Sequence, residues 1–299
     1  MYFALKYIIL FKASELILNP DGSIYHLHLK PADIADTIIT VGDPDRVPAV
    51  SRHFDSIVVK KNKREFITHT GFVGKKLVTV ISTGIGTDNI DIVFNELDAL
   101  SNINLDSRTT RKVKKSLTFI RIGTSGSIRE EMPLDSFLFS SGAIGLDGLM
   151  HFYESNYTKR EEALKIAFQQ FIDSKEINLT GFYPATASEE LHNHFVADHF
   201  SGITLTCSGF YGPQGRSLRL NSMMRKFLKD TADFTFEYEY LTNLEMETAG
   251  IYALASALGH RAISCNVLLA DRMAGTFSVK PKKSIDKLIE YCLEKIEGL

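Results

Sequence analysis

The chain has 299 residues, of which 44% are hydrophobic and 23% are charged, so it can bury a large core. Its 34 basic and 36 acidic residues give a formal net charge of −2, which offers no reason to expect a nucleic-acid or membrane-surface partner. Three scattered cysteines without a CxxC pair exclude a disulfide framework and are typical of a reducing compartment, so we expect a cytoplasmic protein.

The N-terminus is apolar over a dozen residues, which is too short to span a bilayer. We assign residues 1–20 to an N-terminal extension of unclear role. Residues 21–299 contain no internal repeat or low-complexity linker, and we predict that they form one domain.

The first half of this domain alternates strand-like runs with glycine-rich turns. Residues 23–30 alternate loosely and carry His26 and His28, and residues 37–47 form a β-branched strand followed by a Gly/Pro/Asp turn and Arg46. A short strand over 63–71 begins with Arg64 and Glu65. Residues 75–97 predict a strand, a glycine turn and an amphipathic helix, with Asp88 or Asn89 as the helix cap.

Residues 117–128 are the best-formed candidate for an anion site. Arg121 lies within an apolar strand, and Gly123 to Gly126 follow as a predicted loop of small residues whose amides and hydroxyls can approach an anion closely. The alternative for this segment alone is a satisfied core arginine followed by an ordinary turn.

The second half continues the alternation of strands and helices. The pattern predicts a strand over 136–145, a helix over 162–172, and a strand with a Gly-rich aromatic loop over 203–216. It then predicts a helix over 243–259 with Glu245 and Glu247 in its first turn, a strand over 262–275 ending in Asp271 and Arg272, and a C-terminal amphipathic helix. This order indicates an α/β fold with a mostly parallel or mixed sheet, whose site lies where strands end.

Each polar group in these loops has a structural alternative. Arg46, Arg64 and Arg121 suit a phosphate if they gather on it, but Arg46 could instead pair with Asp43 or Asp45. Glu245 and Glu247 could be favoured only by the helix dipole, or could present a carboxylate to vicinal hydroxyls and a developing positive charge.

Three further pairs carry the same ambiguity. Gln214 and Arg216 offer the donors and acceptors needed to bind a planar amide-like edge. Histidines on an apolar strand, such as His26 and His28, are more often packed or surface residues than catalysts. Asp271 and Arg272 could form only an ion pair with each other. A P-loop, a dinucleotide fingerprint, a nucleophile elbow and a metal motif are all missing from the sequence.

Taken together, these motifs resemble the uridine phosphorylases of the nucleoside phosphorylase family. The matching motifs, in family order, are GDPDRV (42–47), REF (64–66), STGIG (82–86), RIGTSG (121–126), FYGPQGR (210–216) and EMET (245–248). The resemblance implies a single-domain three-layer α/β/α sandwich with a mixed central sheet. It also implies reversible phosphorolysis of uridine to uracil and ribose 1-phosphate, in pyrimidine salvage, with inorganic phosphate as co-substrate and no organic cofactor.

The resemblance also implies roles for individual residues. The phosphate site comprises Gly42, Arg46, Arg121 and Thr124, with Arg64 from a neighbouring subunit. The ribose site comprises Thr124, Met246 and Glu247, with His26 from the neighbour at the 5′-hydroxyl. The nucleobase site comprises Phe210, Gln214, Arg216 and Arg272. Glu247, Arg216 and Arg272 are the expected catalytic residues, and a homohexamer built from dimers is the expected assembly.

Two departures from the family pattern leave alternatives open. Some bacterial members hold potassium between subunits, and Glu65 and Ile85 match that pattern, but Asn89 stands where serine is usual. Asp271 lies where purine phosphorylases carry an acid, although the LLADR context favours Arg272 as the functional residue. The alternatives are therefore a purine phosphorylase or nucleosidase on the same fold and, outside the enzymes, a nucleoside-binding module.

Overall fold

A mixed β-sheet forms the centre of the fold in the computed structural model, which describes residues 10–154, 156–177, 179 and 181–299. The strands are β1 (Thr37–Val41), β2 (Ser56–Lys63), β3 (Phe66–Val73), β4 (Lys76–Ser82), β5 (Ile103–Asn104), β6 (Thr109–Thr110), β7 (Thr118–Ser127), β8 (Phe137–Gly145), β9 (Tyr183–Thr186), β10 (Phe200–Thr206), β11 (Thr235–Phe236), β12 (Glu239–Glu245), β13 (Arg261–Asp271) and β14 (Thr276–Phe277). The α-helices are α1 (Arg46–Ser51), α2 (Thr87–Asn102), α3 (Lys159–Ser174), α4 (Glu189–Val196), α5 (Met224–Asp230), α6 (Thr248–Leu258) and α7 (Pro281–Glu297).

The strand order brings several carboxyl ends to one edge of the sheet. β1 pairs in parallel with β4 and β7, and β7 pairs in parallel with β13. β12 pairs with both β10 and β7, so the path β7–β13–β8–β10–β12 returns to β7 and closes a ring of five strands. The loops that follow these strands therefore converge at that edge, where α/β folds commonly bind their ligands.

Helices cover both faces of the sheet because successive strand residues point to opposite sides. Ile38 and Phe119 pack in one core with side chains of α2 and α6, whereas their neighbours Ile39 and Ile120 pack in a second core with side chains of α1 and α7. A third core lies between the ring and α3, around Phe168. The predicted α/β sandwich with a mixed sheet is confirmed.

Three local predictions were wrong. Residues Gly123 to Gly126 belong to β7 and not to a loop, because β13 pairs with them throughout and Gly126 also pairs with Leu244 of β12. The predicted helix over 243–259 begins only at Thr248, since the residues up to Glu245 pair with β10. The N-cap of α2 is Gly86, with φ of 98°, and neither Asp88 nor Asn89.

The predicted N-terminal extension lies partly outside the described residues, which begin at residue 10. Within its described part, Leu16 is only 5% exposed and belongs to the first core. The Phe11 amide donates to the Arg108 carbonyl at 3.0 Å. This part of the extension therefore packs on the domain. None of the helices in the described residues is both long and apolar enough to cross a membrane.

Candidate active site

A cavity of about 600 Å³ lies at the sheet edge where β1, β4, β7, β12 and β13 approach their carboxyl ends. Residues that end or follow these strands form its walls, together with the loop after β10. The predicted site residues that line it are Gly42, Arg46, Arg121, Thr124, Phe210, Gln214, Arg216, Met246 and Glu247. Most of the predicted site residues, drawn from distant parts of the chain, therefore meet in one place.

Two guanidinium groups, those of Arg46 and Arg121, line the cavity together. The Arg46 Nη1 donates to the carbonyl of Ile122 at 3.1 Å. Burial lowers the pKa of Arg46, and the charge of Arg121 lowers it further, while Asp43 opposes both effects from a distance. Among the described residues neither Asp43 nor Asp45 forms an ion pair with Arg46, so the Arg46 guanidinium has no carboxylate partner in this part of the chain.

Arg121 is buried and bound on both sides. Its Nη2 lies 2.6 Å from Glu247 Oε2 and 3.1 Å from Glu245 Oε2, and its Nη1 donates to Asn266 Oδ1 at 2.8 Å. Burial acts to lower the pKa of Arg121, but the two carboxylates outweigh it and raise the pKa above the ordinary value. A Cβ on Gly123 would lie 1.9 Å from Nη1, so this strand position must be glycine for the guanidinium to fit.

Glu245 and Glu247 have different roles although only one residue separates them. Glu245 Oε2 accepts hydrogen bonds from the amides of Glu247 and Thr248, both at 2.9 Å, and so satisfies the free N–H groups at the start of α6. Glu247 Oε1 accepts from the Gly86 amide at 2.8 Å. Burial raises the pKa of Glu247, an effect that Arg121 partly offsets. Glu245 therefore caps the start of α6, as the helix-end alternative expects, and both Glu245 and Glu247 line the cavity.

Phe210, Gln214 and Arg216 form a second polar group in the cavity. The Arg216 Nη1 donates to the Phe210 carbonyl at 2.7 Å and to Gln214 Oε1 at 2.5 Å. The Arg216 guanidinium carbon lies 3.7 Å from the centroid of the Phe210 ring, which is a close cation–π contact. An aromatic face, an amide and a guanidinium are thus held together, the set expected for a flat heterocycle with a polar edge.

Arg272 does not line this cavity but an adjacent one that also includes Arg216. A Cβ on Gly126 would lie 3.2 Å from Arg272 Cγ, so the stem of Arg272 passes directly behind a residue of the cavity wall. The Asp271 carboxylate accepts hydrogen bonds from the amides of Met273 and Ala274 at 2.9 and 2.8 Å and thereby caps the turn after β13.

His26 and Arg64 lie outside the cavity and close to each other on the surface. His26 Nδ1 is 2.6 Å from Glu96 Oε1, and the Arg64 guanidinium carbon is 5.8 Å from the ring centroid of Tyr25. The next residue after Arg64, Glu65, does line the cavity. The surface that carries His26 and Arg64 is thus adjacent to the cavity, and their expected action across an interface stays a prediction.

The residues expected near potassium lie together around Gly84. A Cβ on Gly84 would lie 2.3 Å from Asn89 Nδ2 and 3.3 Å from Glu65 Cγ, and Ile85 follows directly. A carboxylate, a backbone carbonyl and an amide supply oxygen donors, which hard cations prefer. These residues therefore fit the ion in donor chemistry. Among the described residues no group of three His, Cys, Asp or Glu is placed to hold a metal ion.

Comparison with known proteins identifies the family. The family model described as the phosphorylase superfamily matches residues 36–289, most of the chain. The chain belongs to the phosphorylase superfamily. The uridine phosphorylase of Thermococcus kodakarensis is 29% identical over 273 residues, which cover 91% of this chain and 86% of that protein. The uridine phosphorylase of Haemophilus influenzae is 27% identical over 254 residues, covering 81% and 83%.

A solved structure supports the same assignment at the level of the fold. A nucleoside phosphorylase of Trypanosoma brucei, described as showing uridine phosphorylase activity, matches with a TM-score of 0.83 at 28% identity. The match covers 95% of this chain and 100% of that one. The enzyme class predicted from the motifs, a nucleoside phosphorylase and hence a pentosyltransferase, is confirmed for this member of the phosphorylase superfamily.

Sequence reasoning did not assign Asn266 and Ser264 to the site of this phosphorylase-superfamily protein. Both lie on β13 beside β7, where Ser264 is the register partner of Arg121. Asn266 accepts from Arg121, and its own Nδ2 donates to Ser264 Oγ at 3.2 Å. A signal was available, because an asparagine within the apolar run of β13, like the arginine of β7, is costly to bury without a hydrogen-bond partner. Asn266 and Arg121 therefore satisfy part of each other's hydrogen-bonding capacity.

Proposed function

We propose that the protein is a uridine phosphorylase that converts uridine and phosphate reversibly into uracil and ribose 1-phosphate. The observation that carries the proposal is the combination of groups in one cavity. Arg46 and Arg121 supply two guanidinium groups, Glu247 contacts Arg121, and Phe210, Gln214 and Arg216 supply an aromatic face with a polar edge. These three groups suit the phosphate, the ribose and the base of a nucleoside undergoing phosphorolysis.

The proposed reaction replaces the bond between the ribose and the uracil nitrogen with a bond between the ribose and a phosphate oxygen. A phosphate oxygen bonds to the ribose C1′ atom as the bond from C1′ to the uracil nitrogen breaks, and the bonding pair leaves with the base. Positive charge on the ribose is stabilised by Glu247 and by phosphate, which Arg46, Arg121, Gly42 and Thr124 hold. Charges already in place at such positions typically contribute a few kcal/mol each.

Negative charge develops on the departing uracil. Gln214 and Arg216 bind the polar edge of the uracil, and Phe210 stacks on its face. Arg272 adds positive charge from behind Gly126, a residue of the cavity wall. Arginine keeps its proton at neutral pH, so it stabilises the uracil anion by charge and hydrogen bonding, and solvent supplies the proton. Met246 and Thr124 complete the ribose subsite.

Several finer statements belong to the same proposal. The subunits form a dimer-built hexamer in which His26 and Arg64 serve a neighbouring site. Potassium held by Glu65, Ile85 and Asn89 would supply a structural charge between subunits. A role in pyrimidine salvage and a cytoplasmic location follow from the reaction and from the three buried free cysteines.

A purine phosphorylase or nucleosidase on the same fold is the second candidate, and one observation bears on it. Both of those enzymes need an acid at the base, and Asp271 is the residue in position. Its carboxylate caps a turn outside the substrate cavity. This contact supports the assignment of the base subsite to Gln214 and Arg216.

The test measures release of the free base from uridine, thymidine and inosine, each with and without inorganic phosphate. We expect release from uridine that requires phosphate and yields ribose 1-phosphate. Release without phosphate would make the protein a hydrolase, and a preference for inosine would favour the purine enzyme. Calorimetric binding of uridine with no release would favour the binding module.

A further inference from the structure

A second cavity of about 540 Å³ adjoins the substrate cavity, and Arg216 lines both of them. We call it the basic cavity, because its charged lining residues are Arg216, Arg225, Lys229 and Arg272. No aspartate or glutamate is among its lining residues. The remaining walls are mostly apolar and include Tyr211, Leu218 and Met273. The proposed reaction uses Arg216 and Arg272 at the base, but it gives no role to Arg225 and Lys229, which add two further positive charges to this cavity.

The four cations of the basic cavity have no acidic partner in the described part of the chain. Other arginines, such as Arg160 and Arg261, do pair with carboxylates. Within residues 10–154, 156–177, 179 and 181–299, the side chain of Arg216 donates hydrogen bonds only to a carbonyl and an amide oxygen, both neutral. The Arg272 Nη1 is buried and has no hydrogen-bond partner in the described residues. A buried donor on a charged group is costly when it is left unpaired, and an oxygen of an anion bound in the basic cavity would satisfy it.

The geometry also defines the kind of anion. Arg225 and Lys229 are four residues apart on α5 and so lie on the same face of that helix. Arg216 comes from the loop after β10, and Arg272 follows β13. The four cations that line the cavity therefore come from three separate parts of the chain. Planar guanidinium forks match the oxygens of phosphate, and the apolar walls leave room for a small organic part.

We propose that the basic cavity is a second anion-binding site, separate from the cavity that holds the substrates, which takes the phosphoryl group of inorganic phosphate or of a small phosphate ester. The pKa of Arg216 agrees with this proposal. Burial lowers it first, and the positive charge of Arg272 lowers it further, to about 10. Because Arg216 belongs to both cavities, an anion in the basic cavity acts on the base subsite. This coupling rests on the proposed function, whereas the anion binding does not.

Equilibrium dialysis with radiolabelled inorganic phosphate tests the binding. We expect two phosphates per chain for the unchanged protein, at a dissociation constant of about 1 mM or tighter for the basic cavity. The variant R225A/K229A is expected to lose one of them. R219A/K226A, which removes the same charge from exposed positions outside the cavity, is expected to keep both. Equal binding by R225A/K229A and the unchanged protein would overturn the proposal.

A third variant separates this proposal from the proposed function. Arg46→Ala removes a substrate-cavity arginine and is expected to leave the phosphate of the basic cavity bound. If the protein is no phosphorylase, one phosphate still binds, is lost in R225A/K229A and is retained in Arg46→Ala. Repeating the dialysis of Arg46→Ala with labelled ribose 5-phosphate distinguishes the two sources, since the natural ligand class binds more tightly.

Steady-state kinetics test the coupling through Arg216. Ribose 5-phosphate is expected to change the KM for uridine by about fivefold or more, a typical size for coupling between sites. R225A/K229A is expected to show no such change, while R219A/K226A responds as the unchanged protein does. The same shift in all three proteins would contradict the coupling and would indicate competition in the substrate cavity.

Discussion

Arg121 and Glu247 form a buried ion pair between the two groups that we assign to phosphate and ribose. Each holds the other in place, because the Nη2 to Oε2 distance is 2.6 Å and neither side chain is more than 7% exposed. Removing one member of a buried pair leaves the other charged and unpaired, which is costly in free energy. Glu245, at 3.1 Å from the same Nη2, provides Arg121 with a second carboxylate.

Glu247→Gln tests the role of the charge with little change of shape. The amide keeps an acceptor for Arg121, and Glu245 still neutralises the guanidinium, so we expect a folded protein. We expect kcat for uridine phosphorolysis to fall about 100-fold to 1,000-fold, as when one preorganised electrostatic group is removed. Steady-state rates provide the measurement. Glu190→Gln, at an exposed pair with Arg261, is the control and should leave kcat unchanged.

The pH dependence of activity follows from the same carboxylate. Burial raises the pKa of Glu247 above its ordinary value of 4.5, so Glu247 gains its proton at a higher pH than a solvated glutamate does. As pH falls through this raised pKa, the negative charge that supports the ribose is lost, and kcat should fall with it. An acid limb centred at or below 4.5 in the kcat profile of uridine phosphorolysis would contradict the assignment.

Ionisation of Glu247 also has a defined effect on stability. Because the pKa is raised in the folded state, the charged form is disfavoured there. The protonated carboxyl group of Glu247 is therefore the form that favours the folded state. Its contribution to the free energy of unfolding is fully present below the ordinary pKa and is lost as pH rises through the raised pKa. The activity and stability effects of this residue thus have opposite signs, which is common where a site holds a charge for function.

At the residue scale, the sequence was enough to single out a charged site residue, but it did not identify the residues that bond to it. Arg121 could be found because an arginine within an apolar strand must meet an acceptor. Its actual acceptors, Asn266 and Glu247, come from β13 and the start of α6, more than 120 residues away. Only the strand pairing decides which of the distant polar groups it meets.

At the scale of elements, β13 acts as a support for β7. The pairing of Asn266 with Gly123 puts an amide oxygen beside the space that the missing Cβ leaves, and the Arg121 guanidinium fills it. A hydrogen bond to a charged group contributes about 1.5 to 3 kcal/mol. β13 therefore positions a residue of the substrate cavity without lining the cavity at this point.

Asn266→Ala tests this support. Arg121 loses a 2.8 Å hydrogen bond and gains freedom, so we expect the KM for phosphate to rise about tenfold while the KM for uridine changes less. Ser264→Ala, whose oxygen is 3.5 Å from the same nitrogen, is the matched control and should have a smaller effect. A purely structural role for Asn266 would instead lower thermal stability and change both KM values equally.

The loop after β10 is the element that we assign to base recognition. Gln214 is only 3% exposed, and its oxygen bonds Arg216, so the pair presents a fixed edge. Gln214→Ala should reduce the preference for uridine over inosine, measured as the ratio of kcat/KM values, by about tenfold or more. Ser208→Ala, at an exposed position of the same loop, should leave the ratio unchanged. An unchanged ratio in Gln214→Ala would remove the basis for the base assignment.

The order of elements could be predicted from periodicity, whereas several boundaries could not. Alternating strands and amphipathic helices indicated an α/β fold, and this was correct. The run Gly123 to Gly126 was predicted as a loop because small residues favour turns, but pairing with β12 and β13 keeps it in β7. Tertiary pairing overrode local preference there and also at Glu245.

At the scale of the whole molecule, the closed ring of strands explains where the site lies. β12 pairs with β7 across more than 110 residues of sequence, and this pairing brings Glu245 and Glu247 beside Arg121. No local pattern encodes such a contact, so the ring could not be foreseen from spacing. The surface beside the ring carries His26 and Arg64, which the single chain leaves outside its own cavity.

Complementation between two inactive variants tests whether that surface completes a neighbouring site. Arg64→Ala removes the contribution to the partner's site, and Glu247→Gln disables a chain's own site. In mixed dimers, the site built on the Arg64→Ala chain has its own Glu247 and receives Arg64 from the other chain. An equal mixture that is unfolded and refolded together should therefore recover about a quarter of the unchanged activity, because half of the dimers are mixed and each has one complete site.

The matched control mixes Arg121→Ala with Glu247→Gln. Both residues belong to the same site of the same chain, where they contact each other at 2.6 Å, so no mixed dimer contains a complete site. This mixture should stay inactive. Recovery in the first mixture alone shows that Arg64 acts across an interface. If the first mixture also stays inactive, Arg64 does not act across an interface.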